Sequence, residues 1–69
     1  MVTEIEAGRS YRLVRPFEVH DEQTGTMRHY LLKGTVIHVR KVAMDLDRIW
    51  INGVSVPLPY YALRHHLED

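Results

Sequence analysis

The sequence predicts an all-β fold, a small barrel of about five short strands. Residues 35–39 form a run rich in β-branched side chains, which pack well on a pleated sheet. Asn52-Gly53 stands between two alternating apolar segments, which is the strongest short-range signal for a β-hairpin. No segment of useful length shows the apolar repeat of a helix, so we expect strands to carry the core.

Composition limits the chain to one small domain covering residues 1–69. Its 45% apolar residues are typical of a globular domain and argue against disorder. A chain this short buries a modest core, so self-association is an expected source of extra stability. It contains no cysteine, which excludes disulfides and thiolate metal sites.

The charges balance, with 9 Lys and Arg residues against 9 Asp and Glu residues. Strong nucleic-acid binders usually carry a basic excess, so neutrality favours other partners. No apolar run is long enough to cross a bilayer, and the first residues lack the basic-then-apolar order of a signal peptide. We therefore expect a cytoplasmic protein without a membrane partner.

The N-terminal segment predicts a lead-in and a first strand. Residues 1–7 form the lead-in, in which Ile5 packs against the barrel, and residues 11–15 form the strand. Pro16 ends that strand, because proline has no N–H to donate to a ladder.

A long acidic hairpin loop is expected next. Residues 17–29 are polar and irregular, and Thr24-Gly25-Thr26 is typical of a loop tip. Residues 27–32 return as a strand. Long loops in small domains are often functional, and this one is acidic at Glu18, Asp21 and Glu22.

The central strand is predicted over residues 35–42. Gly34 marks the preceding turn, and Ile37 and Val39 share the inner face because side chains alternate along a strand. Residues 43–48 contain two aspartates and are expected to form a turn.

The Asn52-Gly53 pair predicts a type I′ turn that joins strands at residues 49–51 and 54–56. Ile49 and Ile51 would face one side of the hairpin, and Trp50 the other.

The C-terminal segment predicts a break and a short turn. Pro57 and Pro59 stop regular pairing, residues 60–63 suit one 3₁₀ turn, and residues 64–67 suit a last edge strand. Of the two adjacent tyrosines, we expect one in the core and one on the surface. The expected core contains Leu13, Leu31, Ile37, Val39, Ile49, Ile51, Val54, Val56 and Leu63.

The order of these segments resembles the Src-homology-3 (SH3) fold. Residues 31–39, LLKGTVIHV, resemble that family's strand-opening motif, and residues 56–61, VPLPYY, resemble its apolar-Pro-x-x-Tyr-apolar motif. Leu67-Glu68 resembles its closing pair. The resemblance covers residues 11–68 and implies an SH3-like barrel with a long acidic hairpin loop and a short 3₁₀ turn near the C-terminus.

The resemblance also implies a binding surface. In that family an aromatic groove beside an acidic loop binds proline-rich peptides. The family's aromatic signature falls at residues 13–17, where one aromatic residue remains, and its paired tryptophans are absent. We expect a non-enzymatic protein-interaction or self-association module, in which aromatic residues pack on the partner and acidic residues select its basic ones. Its partner surface is expected to contain Phe17, Glu18, Asp21, Glu22, Trp50, Pro57 and Tyr60.

Nucleic-acid binding is the alternative from a different class. It requires cations to gather on one surface beside Trp50 or Tyr60, on which bases would stack. Acids beside the aromatic residues would favour a protein or peptide instead. The cations available for such a surface are Arg9, Arg12, Arg15, Arg28, Arg40, Lys41 and Arg48.

No pattern indicates catalysis, a metal or a cofactor. The two turn aspartates, Asp45 and Asp47, have no candidate nucleophile nearby in the sequence. The spacing of the histidines fits no recognised metal site. They are His20, His29, His38, His65 and His66.

Overall fold

A computed structural model describes residues 1–68, so residue 69 of the predicted domain lies outside the described residues. The fold is mostly β, as predicted, with six strands where about five were expected. They are β1 (Ser10–Leu13), β2 (Phe17–His20), β3 (Met27–Leu31), β4 (Val36–Ala43), β5 (Arg48–Ile51) and β6 (Leu67–Glu68). The helical elements are one α-helix, α1 (Tyr60–Leu63), and two 3₁₀ turns, Met44–Leu46 and Arg64–His66.

The strands form a four-stranded sheet in the order β5-β4-β1-β6 and a separate two-stranded ribbon of β2 and β3. Every pairing is antiparallel. An isolated bridge from Ile49 to Leu58 adds a further neighbour beside β5. The sheet is curled, and the architecture is compatible with a small β-barrel.

The core lies on the inner side of the curled sheet. Along β4, Ile37 and Val39 are buried while their sequence neighbours are exposed, which confirms the predicted faces. Of the nine predicted core residues seven are buried, and Leu31 and Val56 pack against the core while partly exposed. Eight further buried residues complete the core: Val2, Ile5, Tyr11, Phe17, Val19, Leu58, Tyr60 and Leu67.

The N-terminal lead-in closes one side of this core. Ile5 is buried, as predicted, and its N–H donates to the Tyr60 hydroxyl at 3.0 Å. The N–H of Glu6 donates to the Tyr11 hydroxyl at 2.9 Å. Buried tyrosines need a partner for the hydroxyl, and these backbone donors supply it.

The predicted Asn52-Gly53 hairpin is wrong. Asn52 continues the pairing of β5 with β4, since its N–H donates to the His38 carbonyl at 2.9 Å. Gly53 has φ 83°, but Asn52 is not at positive φ, and a type I′ turn needs both. Residues 54–56 form no strand and the chain rejoins β5 only at Leu58. Val54 is instead turned into the core, which offsets the lost pairing.

Two smaller corrections concern the ends of the acidic loop and of the chain. Residues 17–20, expected to be irregular, form β2, in which Phe17 and Val19 are buried and alternate with exposed neighbours. Residues 60–63 form a single α-helical turn before the 3₁₀ turn Arg64–His66, so the last strand begins at Leu67.

Candidate functional site

A concavity lies between the β2–β3 ribbon and the proline segment that follows β5. It has a volume of about 370 Å³, and we call it the acidic cleft. Its lining residues are Glu18, Val19, His20, Glu22, Leu46, Asp47, Arg48, Pro57 and Pro59. An adjoining hollow of about 300 Å³ shares four of these residues and adds Asp21, Gln23 and Val56.

The ribbon wall of the acidic cleft follows from the alternation of β2. Phe17 and Val19 point into the core, so Glu18 and His20 are turned outward. The register with β3 shifts between Val19 and His20, where the ribbon opens into its loop. Two backbone bonds then close the loop, from the Asp21 N–H to the Thr26 carbonyl and from the Gly25 N–H to the Asp21 carbonyl, both 2.9 Å.

The Asp21 carboxylate stabilises the conformation of that loop. Its carboxylate accepts hydrogen bonds from the N–H groups of Gln23 at 2.8 Å and Thr24 at 3.2 Å. It also pairs with Arg28 at 3.2 Å. These backbone donors, with Arg28 as a smaller contributor, lower the pKa of the Asp21 carboxyl below its ordinary value. The group is thereby held charged and committed to the loop.

Asp47 has a comparable part on the opposite wall. It adopts the left-handed conformation, with φ 54°, at the end of the 3₁₀ turn Met44–Leu46. Aspartate tolerates this conformation better than most residues. Its Oδ1 accepts a hydrogen bond from the Tyr61 N–H at 2.9 Å, which satisfies one of the free donors at the start of α1.

Unlike Asp47, the other two carboxylates that line the cleft, Glu18 and Glu22, accept no hydrogen bond from a backbone N–H group of the described residues. Glu22 meets Arg48 at 3.4 Å, and its side chain is 68% exposed. Glu18 meets His20 at 3.5 Å and is 57% exposed. Exposed pairs at such distances contribute little, about 0–1 kcal/mol. Both carboxylates are therefore free to exchange these contacts for the cations of a ligand.

The wall opposite the ribbon is partly apolar. Leu46 is 62% exposed there, beside the half-buried Pro57 and the exposed Pro59. Together these three side chains offer a surface for aliphatic or proline side chains. The cleft thus sets an apolar wall opposite two available carboxylates.

The structure brings four of the seven predicted binding residues together. Glu18, Glu22 and Pro57 line the acidic cleft, and Asp21 lines the adjoining hollow. The predicted site also lacked several lining residues. Pro59 repeats the proline signal of Pro57. Val19 and His20 belong to β2, which was expected to be irregular. The other three residues meet the ribbon only through tertiary packing: Leu46, Asp47 and Arg48.

The three predicted aromatic residues lie elsewhere. Tyr60 is 0% exposed, so the expectation of an exposed Tyr60 is wrong, and Tyr61 is the surface member of the pair. Phe17 is buried, with its ring edge-on to the His66 ring at a centroid distance of 4.9 Å. Trp50 does not line the acidic cleft, and the Lys41 ammonium lies over its ring, 4.8 Å from the centroid.

Four of the seven candidate cations are paired with carboxylates. Arg9 meets Glu6 and Arg12 meets Glu68, each at 2.8 Å. Arg28 and Arg48 pair with the acidic loop. Arg15 donates to the His65 carbonyl at 2.7 Å. Arg40 and Lys41 remain, adjacent on β4.

Within residues 1–68, no group of three or more His, Asp or Glu side chains is arranged to hold a metal ion. None of the helices in the described part of the chain has the length and apolarity needed to cross a membrane.

Comparisons with known proteins found no match to this chain among family models, curated proteins or solved structures.

Proposed function

We propose that this protein is a non-enzymatic protein-interaction module, built on an SH3-like barrel, that binds an extended basic and proline-containing segment in the acidic cleft. The partner's prolines or aliphatic side chains pack on the wall formed by Leu46, Pro57 and Pro59. Its lysine or arginine side chains pair with Glu18 and Glu22. The binding mode is recognition of a preformed extended peptide, which loses little conformational entropy on docking.

The SH3-like assignment is supported by the order of the elements. A first strand is followed by a long antiparallel ribbon, two consecutive paired strands, a helical turn and a short last strand that pairs with the first. The isolated bridge at Leu58 adds a further antiparallel neighbour to β5. The proline segment precedes the helical turn, as in the motif at residues 56–61.

The observation that carries the proposal is that one cleft contains both available carboxylates and apolar side chains. Asp21 and Asp47 are held by backbone N–H groups and shape the surface. Within residues 1–68, Glu18 and Glu22 make only weak contacts, to His20 and Arg48 respectively. A cleft with fixed walls and free anionic side chains selects a cationic ligand by charge and an apolar one by packing.

The test is a binding titration with a fluorescein-labelled peptide of alternating proline and leucine that carries two arginines, followed by anisotropy. The double variant Glu18→Gln, Glu22→Gln should weaken binding by roughly tenfold, since charge-assisted contacts contribute about 1.5–3 kcal/mol when desolvated and less on an exposed rim. The same peptide with glutamine in place of arginine should bind the wild-type protein more weakly.

A matched control is Glu4→Gln, which removes an exposed carboxylate that does not line the cleft. It should leave peptide affinity unchanged. Equal loss in the control and the double variant would reduce the effect to net charge and contradict the proposal. Light scattering over a concentration series completes the test, because a stable dimer would assign the cleft to a second copy of the chain.

A further inference from the structure

A second surface lies on the outer side of the paired strands β4 and β5. It contains Arg40, Lys41 and Trp50, and we call it the basic face. Arg40 and Lys41 are exposed, and Trp50 is the register partner of Lys41. The acidic cleft does not include any of these residues.

An irregularity in β4 creates this face. The register with β5 shifts between Val39 and Lys41, so Arg40 is an extra residue in the pairing. Val39 and Val42 on either side pair with Ile51 and Ile49 of the inner face. A β-bulge of this kind leaves two consecutive side chains outside the core, where regular alternation would turn one inward. Two cations are therefore set side by side.

These two cations have no carboxylate partner within residues 1–68. No salt bridge involves Arg40 or Lys41, whereas Arg12 and Arg48 on the same sheet are paired with Glu68 and Glu22. The Lys41 ammonium rests over the Trp50 ring at 4.8 Å. A cation that has only an aromatic face as its neighbour remains available to an anion.

We propose that the basic face binds single-stranded nucleic acid. Backbone phosphates pair with Arg40 and Lys41. A phosphate that draws the Lys41 ammonium toward itself uncovers the face of the Trp50 ring, on which a base then stacks. Cations that follow the backbone beside an aromatic platform are the recurring means of binding single strands without sequence preference.

This combination favours a nucleic acid over other anions. An acidic peptide offers charge without rings, and a duplex keeps its bases stacked inside. A single strand supplies both phosphates and free base faces, which match the cation pair and the indole. The site lies outside the acidic cleft, so it stands or fails independently of the peptide-binding proposal.

Trp50 makes the test direct, because it is the sole tryptophan of the chain. The full chain is titrated with a short oligothymidylate while the tryptophan fluorescence is followed, at salt concentrations from about 50 to 200 mM. Quenching that saturates is expected, with an affinity that falls as salt rises. Each phosphate contact contributes about 0.7 to the slope of log affinity against log salt for a single strand.

Single substitutions separate the contribution of the phosphate contacts from that of base stacking on Trp50. Arg40→Gln and Lys41→Gln should each lower the salt slope by roughly 0.7. Trp50→Leu should weaken binding about fivefold or more, measured by anisotropy of a labelled oligonucleotide, and Trp50→Phe should weaken it less. Lys33→Gln is the matched control, because it removes one positive charge from an exposed residue outside β4, β5 and the acidic cleft, and it should leave oligonucleotide binding largely unchanged.

Two outcomes would overturn the proposal. One is the absence of quenching and of anisotropy change at low salt. The other is equal binding of polyglutamate, with Trp50→Leu as tight as the wild type, which would define a surface for acidic proteins without base stacking. Circular dichroism of each variant checks that its fold is intact.

Discussion

The acidic cleft and the basic face are assembled in opposite ways. The cleft draws on three segments that are distant in the sequence: the ribbon, the turn before β5 and the proline segment. The basic face draws on β4 and β5, which are consecutive and paired along their length. One surface depends on how separate units pack, and the other on a local shift of register.

The comparison also shows how a neutral chain separates its charges. The protein carries 9 positive and 9 negative side chains, yet its cleft acids and its free cations lie on different elements. Glu18 lies on β2 and Glu22 in the loop that follows it, whereas Arg40 and Lys41 lie on β4. Net charge averages over surfaces that a ligand meets one at a time. Neutrality therefore excludes neither a cationic nor an anionic partner here.

The largest expected effect concerns the attachment of the ribbon. Phe17 and Val19 belong to the same buried cluster as the sheet residues, so the ribbon should unfold with the sheet. Phe17→Ala should lower the free energy of unfolding by about 3–5 kcal/mol, because it removes a buried ring and leaves a cavity. Urea unfolding followed by Trp50 fluorescence and by circular dichroism measures this loss.

Both probes should shift together in that variant. A ribbon that loosens alone, with the fluorescence transition of Trp50 unchanged, would mean that the cleft wall is an appendage of the sheet. Phe17→Leu is the control, since it keeps an apolar side chain at the site and should cost much less.

A smaller loss in the free energy of unfolding is expected for a substitution at Tyr60. This variant tests whether Tyr60 belongs to the core or to the binding surface of the cleft. Tyr60→Phe keeps the ring but leaves the Ile5 N–H without its buried acceptor. An unsatisfied buried donor costs about 1–3 kcal/mol in the free energy of unfolding, measured by urea titration. Peptide affinity at the cleft should not change, because the hydroxyl is not exposed there.

Tyr61→Phe is the matched control for Tyr60→Phe. Tyr61 is 44% exposed and its hydroxyl has no partner among the hydrogen bonds of the described residues. Its loss should change stability by less than about 0.5 kcal/mol. Equal destabilisation by the two variants would contradict the assignment of Tyr60 to the core.

Arg48→Gln tests the contrast in charge between the two surfaces. Arg48 is the arginine of the acidic cleft, and its contact with Glu22 competes with a cationic ligand. Removing it should raise affinity for the arginine-bearing peptide by up to about fivefold, which corresponds to the 0–1 kcal/mol of an exposed pair. Arg40→Gln removes the same charge from the basic face and should leave peptide affinity unchanged.

The smallest effect is the pH dependence contributed by Asp21. Its pKa is lowered in the folded state by the Gln23 and Thr24 N–H groups and by Arg28. Its contribution to stability is therefore complete above the ordinary aspartate pKa and is lost as the pH falls through the lowered folded-state value. In Asp21→Asn the amide oxygen keeps the loop acceptor, so the difference in melting temperature from the wild type should be small.

That difference is measured at about pH 7 and about pH 2 by thermal unfolding. It should be larger at the higher pH, where the wild-type carboxylate is charged, and smaller at the lower one. A difference that grows as the pH falls would contradict the assignment of Asp21 as a carboxylate stabilised by the loop.

The acidic cleft was only partly predictable from the sequence, because some of its lining residues are brought together by tertiary packing alone. The acidic residues and Pro57 were predictable, because charge clusters and prolines are recognisable from the sequence alone. The turn residues Leu46, Asp47 and Arg48 carry no such mark, since only packing brings them to the ribbon. The β-bulge at Arg40 was not predictable from the sequence either, because the apolar alternation of β4 is regular up to Val39.

The sequence by itself determined the mostly β fold, the strands around β4 and seven of the fifteen buried core residues, because these follow from β-branched alternation. Tertiary structure decided where Asn52-Gly53 would pair and which tyrosine would be buried. Asn52 bonds to β4 and Tyr60 accepts from Ile5, which is 55 residues away in the chain. Local propensity does not include partners that are distant in the sequence, so tertiary contacts settled the pairing of Asn52 and the burial of Tyr60.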